Sequence, residues 1–207
     1  SQQMGCSAVV NANGVGFDTS YGTSGSEIIP VPAGFAQLTI QDIVLQPDGK
    51  LLVAGYCEDN GAPLNHSFCI TRLTATGALD PTFGVNRWAT TIPGPGDRLA
   101  RIKLLGDGSF LATGTCGTTT FTGAISCTLR FDASGNYVSS TYLQWGTDRS
   151  EAVYDFTSRD GTVTLAGDAT DAASDWRMYV SRLTLGGLPD TSFGGTYPAS
   201  GTGGNIN

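Results

Sequence analysis

The sequence predicts an all-β fold of repeated four-stranded antiparallel blades, and three observations carry that prediction. A ten-residue pattern recurs three times along the chain. Each copy opens on an Asp-Gly pair set between short apolar runs, which is a strong hairpin signal. Glycine is very common, at 29 of 207 residues, while charged residues make up only 14%. That composition suits short strands joined by many turns.

The three copies are Gln46-Pro-Asp-Gly-Lys-Leu-Leu-Val-Ala-Gly55, Leu105-Gly-Asp-Gly-Ser-Phe-Leu-Ala-Thr-Gly114 and Ser158-Arg-Asp-Gly-Thr-Val-Thr-Leu-Ala-Gly167. Their turn pairs are Asp48-Gly49, Asp107-Gly108 and Asp160-Gly161, where glycine supplies the positive φ of a primed turn. A further strand follows in each: Phe68-Cys-Ile-Thr-Arg72-Leu, Ser126-Cys-Thr-Leu-Arg130-Phe and Met178-Tyr-Val-Ser-Arg182-Leu. Five residues after each arginine stands a glycine, namely Gly77, Gly135 and Gly187. Two copies then carry Leu79-Asp-Pro-Thr-Phe-Gly84 and Pro189-Asp-Thr-Ser-Phe-Gly194. Gly16-Phe-Asp-Thr-Ser-Tyr-Gly22 is the tail of a fourth, partial copy.

For the middle copy the strands are predicted at Arg98–Leu105, Ser109–Cys116, Ile125–Phe131 and Tyr137–Trp145. Four strands at this period describe a β-propeller blade. The predicted organisation is an N-terminal half unit over 1–35, units over 36–96, 97–146 and 147–198, and a flexible Gly-rich tail over 199–207. The half unit keeps only the last two strands of a blade, an open ribbon that invites pairing with another chain.

These residues resemble the delta-60 repeat family. Its pattern runs Pro-Asp-Gly-Lys-Ile-Leu-Val-Ala-Gly, then Arg-Leu-Asn-Ala-Asp-Gly-Ser-Leu-Asp-Pro-Thr-Phe-Gly. The first unit is close to it, and the third matches at both ends. The second departs, with Asn136-Tyr-Val-Ser where the Leu-Asp-Pro-Thr segment belongs. The resemblance implies a propeller-type fold in a secreted or surface-associated protein, and it implies no activity.

Five cysteines fall on repeat positions. Cys57 and Cys116 lie two residues after the second repeat glycine, and Cys69 and Cys127 three before the repeat arginine. In the third unit both positions lose cysteine together, to Ala169 and Tyr179. Joint loss points to the pairs Cys57–Cys69 and Cys116–Cys127, each closing a loop of about a dozen residues and worth about 3 kcal/mol. Such pairs imply an oxidising, extracellular or cell-surface location, with any export signal already removed. Cys6 is left over, so an intermolecular bond or a free thiol is expected there.

Several function classes are disfavoured by charge. The net charge is −7, and Lys50 and Lys103 are the only lysines. A nucleic-acid binder needs a basic stripe, and the acidic balance opposes anionic membranes as well. No run of 18 apolar residues is available for membrane insertion.

Catalytic candidates are few. His66 is the one histidine, placed in a predicted loop, and no nucleophile elbow accompanies it. Glu151 with Asp155 could form a carboxylate pair, but a solvated strand face is the simpler reading. No enzyme activity and no cofactor are therefore expected. Calcium at the recurring aspartates is the one metal alternative, although no Asp-x-Asp-x-Asp-Gly run exists. The turn pairs, together with Asp80 and Asp190, are read as structural. Arg72, Arg130 and Arg182 are read as ties between blades through carboxylates. Trp88, Trp145 and Tyr197 occupy similar fourth-strand positions, either packed between blades or exposed as ligand or partner contacts.

The expected function is a secreted structural or adhesive component that self-associates through its half unit, possible products including a closed dimer and a filament. The alternative is a propeller that binds a surface glycan, another ligand or another secreted protein.

Overall fold

A computed structural model describes residues 5–8, 16–60, 65–90, 94–117, 124–143, 151–170, 176–184, 188, 190–194 and 205–206. The described residues are all-β, as the repeat predicts. The half unit is a two-stranded ribbon, β1 (Gly5–Ala8) and β2 (Ser26–Ile29). Blade 1 comprises β3 (Phe35–Leu45), β4 (Leu51–Asp59) and β5 (Asn65–Leu73). Its outer position is shared by β6 (Trp88–Thr90) and β7 (Gly94–Pro95), both paired to β5. Blade 2 runs β8 (Arg98–Leu104), β9 (Phe110–Gly117), β10 (Ala124–Phe131) and β11 (Tyr137–Leu143). Blade 3 runs β12 (Glu151–Arg159), β13 (Thr162–Thr170), β14 (Trp176–Thr184) and β15 (Asn205–Ile206). Within each blade the strands pair antiparallel in sequence order.

The blades stack face to face, because each presents apolar side chains on both faces. Side chains alternate along a strand. On β5, Cys69 and Leu73 therefore join the core against the half unit, with Tyr21, Ile29, Leu38, Val53 and Trp88. Phe68 and Ile70, on the opposite face, join the blade 1–blade 2 core with Leu52, Leu99, Ile102, Phe110 and Phe131. Leu111 on β9 faces the other way, into the blade 2–blade 3 core with Val153, Phe156, Leu165, Tyr179 and Leu183. Three junctions thus hold three cores. The half unit is no isolated ribbon, since Tyr21 and Ile29 are buried against blade 1.

The repeat glycines have a steric cause. Gly55 and Gly114 lie against the first strand of their blade, and a Cβ there would strike the backbone carbonyls of Thr39 and Arg98. The Asp-Gly turns differ between units. In unit 3 both Asp160 and Gly161 have positive φ, 50° and 78°, as a two-residue primed turn requires. In units 1 and 2 only Gly49 and Gly108 do, and an extra residue lengthens the loop. Those two are turns with a glycine bulge, so the primed turn expected in all three holds in one. Their aspartates cap the turn instead: Lys50 N donates to Asp48 Oδ1 at 3.1 Å, and Ser109 N to Asp107 Oδ1 at 3.0 Å.

Both expected disulfides are formed, Cys57–Cys69 and Cys116–Cys127, each tying the two middle strands of a blade at a Cα separation of 5.8 Å. Cys6 lies on β1 opposite Ile28. Within the segment that composition marks as a flexible tail, Asn205–Ile206 pairs with Val180 and Ser181. No helix of the described residues is long and apolar enough to cross a membrane.

One buried acid is set by this architecture. Asp97 is 5% exposed at the head of β8, where its Oδ1 accepts the Gly117 amide at 2.8 Å. Burial pushes its carboxyl up to about 6, and the single amide bond offsets that only in part. A carboxyl raised on folding contributes stability that is full below the ordinary value and lost as pH rises through the raised one. Asp97→Asn keeps the acceptor and removes the charge. Urea unfolding at pH 4 and pH 7 should show a smaller loss of stability across that interval in the variant than in the wild type. Equal losses would remove Asp97 as the cause.

Candidate functional site

The most regular inter-unit device is a short staple after the third strand of a blade. In unit 1 it is Asp80-Pro-Thr-Phe-Gly84. The turn is made locally: Thr82 donates its amide and hydroxyl to Asp80 Oδ1 at 2.9 and 2.6 Å, and Phe83 N reaches the Asp80 carbonyl at 3.3 Å. This projects Phe83 onto the 3–4 turn of blade 2. Gly84 N donates to Ser134 O at 2.7 Å, and the Phe83 ring lies where a Cβ on Gly135 would be, 2.8 Å away. Gly135 is thus a glycine for two reasons, its φ of 86° and the ring above it. Phe83 is fully buried, and its ring stacks at 6.1 Å on Phe110, which stacks on Phe131.

Arg72 locks the staple. Its Nε pairs with Asp80 at 2.9 Å, its Nη2 reaches Thr82, and its Nη1 crosses to the Ala133 carbonyl of blade 2 at 2.7 Å. Lys50 adds a second cation to Asp80 at 3.0 Å. Burial alone would raise the Asp80 carboxyl, but the bonds from Thr82, Lys50 and Arg72 outweigh it and hold the group far below the carboxylate range. The repeat arginine and aspartate therefore pair within a unit, and the tie between blades runs through the guanidinium to a backbone carbonyl.

The half unit carries the same device. Ser20 caps Asp18 at 3.0 and 2.6 Å, Tyr21 is 4% exposed, and Gly22 N donates to Thr76 O of blade 1 at 2.9 Å. Unit 2 has none, because Asn136-Tyr-Val-Ser replaces it. Arg130 turns instead to Asp107 and Ser109, at 3.1 and 3.4 Å. There it lines a cleft of about 470 Å³ between the hairpin turns of blades 2 and 3, with Asp107, Arg159 and Asp160.

Unit 3 has the full device, and no receiver for it lies among the described residues. Ser192 caps Asp190 at 2.9 and 2.6 Å, Arg182 Nε pairs with Asp190 at 2.7 Å, and the Arg182 guanidinium lies 4.6 Å over the Phe193 ring. Yet Phe193 is only half-buried. Beside it, blade 3 leaves open the face that blade 1 buries. Met178 takes the register place of Phe68 and is 81% exposed, and Trp176 nearby is 63% exposed.

The remaining candidates fall elsewhere. His66 is not in a loop: it lies on β5 opposite Glu58, is buried, and meets the Tyr56 ring edge-on at 5.4 Å. Asp155 pairs with Lys103 across the blade 2–blade 3 junction at 3.2 Å, and the side chain of Glu151 lies outside the described residues. Trp88 is 7% exposed in the half-unit core, so it forms no exposed ladder. Trp145, Tyr197 and Gly187 lie outside the described residues. No signal short of the third dimension exposed the open blade face.

Residues 46–83 and 159–193 match the family model of a β-propeller domain of unknown function (DUF5122). The match fits the β-propeller-like repeat fold of the blades. Both matched segments end on the staple aromatic, and the unit without a staple lies outside them. A comparison with curated proteins gives no match.

The staple ought to dominate the blade 1–blade 2 junction of this propeller repeat. Phe83→Ala should cost about 3–5 kcal/mol in urea unfolding, as for a fully buried aromatic. A cost below about 1 kcal/mol would show that the staple is ornamental.

Proposed function

We propose that the chain is a secreted, non-enzymatic building module of delta-60 type that associates with copies of itself, joining blade 3 of one copy to the half unit of the next. One observation carries this reading. The third staple and blade face are built for a following unit, and among the described residues nothing covers them. The same chemistry is satisfied twice within the chain, at Tyr21–Gly22 on blade 1 and Phe83–Gly84 on blade 2. A third instance with Phe193 half-buried and Met178 and Trp176 exposed is an apolar face of the kind that marks association sites.

The half unit presents the complementary face. Its one face is buried on blade 1, while Ile28 and Phe17 are both 59% exposed. Blade 3 against the half unit of a second copy is a heterologous contact, which closes into a ring or extends into a filament according to its rotation. Disulfides in both full outer-matched layers, blades 1 and 2, suit an oxidising location. Cys6 on the half-unit ribbon then lies near the joint, where an intermolecular bond is available to it.

Light scattering of the full chain across a dilution series tests this. The wild type should show a mass above the monomer that falls on dilution, and Phe193→Asp should be monomeric throughout with unchanged circular dichroism. A wild-type monomer at every concentration would contradict the proposal.

A further inference from the structure

The first strands of the three blades carry a β-bulge at the same place. Register shifts fall between Ile40 and Asp42, between Leu99 and Arg101, and between Val153 and Asp155. The extra residues are Gln41, Ala100 and Tyr154. A bulge pushes its extra residue out of the ladder and re-aims its side chain. All three line one cleft of about 320 Å³, together with Tyr56, Arg98, Arg101 and Thr115.

The residue after the bulge has a structural task in units 1 and 3. Asp42 caps its own strand through the Ile43 amide at 2.9 Å and accepts the Ile102 amide of blade 2 at 2.9 Å. Asp155 caps the Phe156 amide at 2.8 Å and pairs with Lys103 of blade 2 at 3.2 Å. Unit 2 has Arg101 at this position. Its guanidinium donates to the neighbouring Ala100 carbonyl at 2.8 Å, and its charge acts on Asp155 of blade 3 without a direct ion pair, helping to hold that carboxyl down. Arg98, two positions before the extra residue Ala100, lies 5.6 Å over the Tyr56 ring. Among the described residues neither guanidinium has a carboxylate partner within ion-pair distance, although carboxylates outnumber cations in the chain, 18 to 11.

Two guanidinium groups with no direct ion pair among the described residues, set beside two tyrosines, fit a specific chemistry. The planar fork of arginine matches a carboxylate. The exposed Tyr154 offers a flat apolar face with a polar edge, Tyr56 carries the Arg98 guanidinium over its ring, and Gln41 and Thr115 add hydrogen-bonding groups. The Tyr154 hydroxyl is fixed by donating to Asp168 at 2.9 Å, which holds the ring in place. We infer that this cleft binds a carboxylate-bearing saccharide of the uronic-acid class, with Arg98, seated on Tyr56, and Arg101 receiving the carboxylate and the exposed Tyr154 the sugar ring. The cleft adjoins the open face of blade 3, because Asp168, which holds the Tyr154 hydroxyl, lies opposite Met178 in the β13–β14 register.

Calorimetric titration of the full-length chain tests this with three probes: an oligogalacturonate, a neutral galactose oligosaccharide of equal length, and sodium sulfate. The oligogalacturonate should bind at least tenfold more tightly than either of the others and more weakly as salt rises. Arg101→Gln removes the charge without setting a second carboxylate near Asp155, so its thermal unfolding should stay close to the wild type while affinity falls at least tenfold. Arg98→Gln should weaken binding likewise. Absence of oligogalacturonate binding would overturn the inference, as would equal binding of the neutral sugar. Sulfate binding as tight as the saccharide would reduce the cleft to a plain anion site and overturn the sugar assignment. Unchanged affinity in both arginine variants would place the ligand elsewhere. Repeating the titration with Phe193→Asp separates this result from self-association, since affinity should be unaltered in that variant.

Discussion

A four-stranded blade with apolar side chains on both faces cannot be stable by itself, and the rest of this structure follows from that constraint. Leu111 on one face of β9 and Ala112 on the other belong to different cores. Blades 1 and 2 are therefore each the filling between two neighbours, as in other repeat architectures where stacking supplies the core. Burying such a face removes apolar area from water at about 25 cal/mol per Å². The staple adds direction to that general drive. Its aromatic fits only over a glycine turn, and its arginine reaches one carbonyl of the next blade, so the stacking has a fixed order and register.

Most of the fold was legible in the sequence because each of its rules is local. The middle blade was expected at Arg98–Leu105, Ser109–Cys116, Ile125–Phe131 and Tyr137–Trp145, and its described strands lie within a residue or two of those bounds. The disulfides were legible from the paired loss of both cysteines in the third unit. The repeat glycines were visible as a pattern, but their cause was not. Gly55 is fixed by the Thr39 carbonyl and Gly135 by the Phe83 ring, and both partners are distant in sequence.

The functional surfaces were harder to read, for physical reasons. A bulge is a one-residue slip in pairing, so Gln41, Ala100 and Tyr154 look like any other strand residue until their partners are known. Exposure of Met178 depends on what lies beyond blade 3, and its position in the repeat is that of the fully buried Phe68. His66 was misplaced because a buried strand histidine and a loop histidine have the same local sequence signature. The missing staple of unit 2 was visible as a departure from the pattern. Its consequence, an Arg130 turned toward Asp107 beside a polar cleft, required the neighbouring turn to be in place.

The account rests on the open face of blade 3 being covered by a second copy, and Met178 reports on that face directly. Its oxidation by hydrogen peroxide can be followed by peptide mass spectrometry over a dilution series. Coverage by a second copy predicts slow oxidation at high protein concentration and faster oxidation on dilution, with the fast rate at every concentration in Phe193→Asp. A rate independent of concentration and unchanged by that substitution would contradict the account.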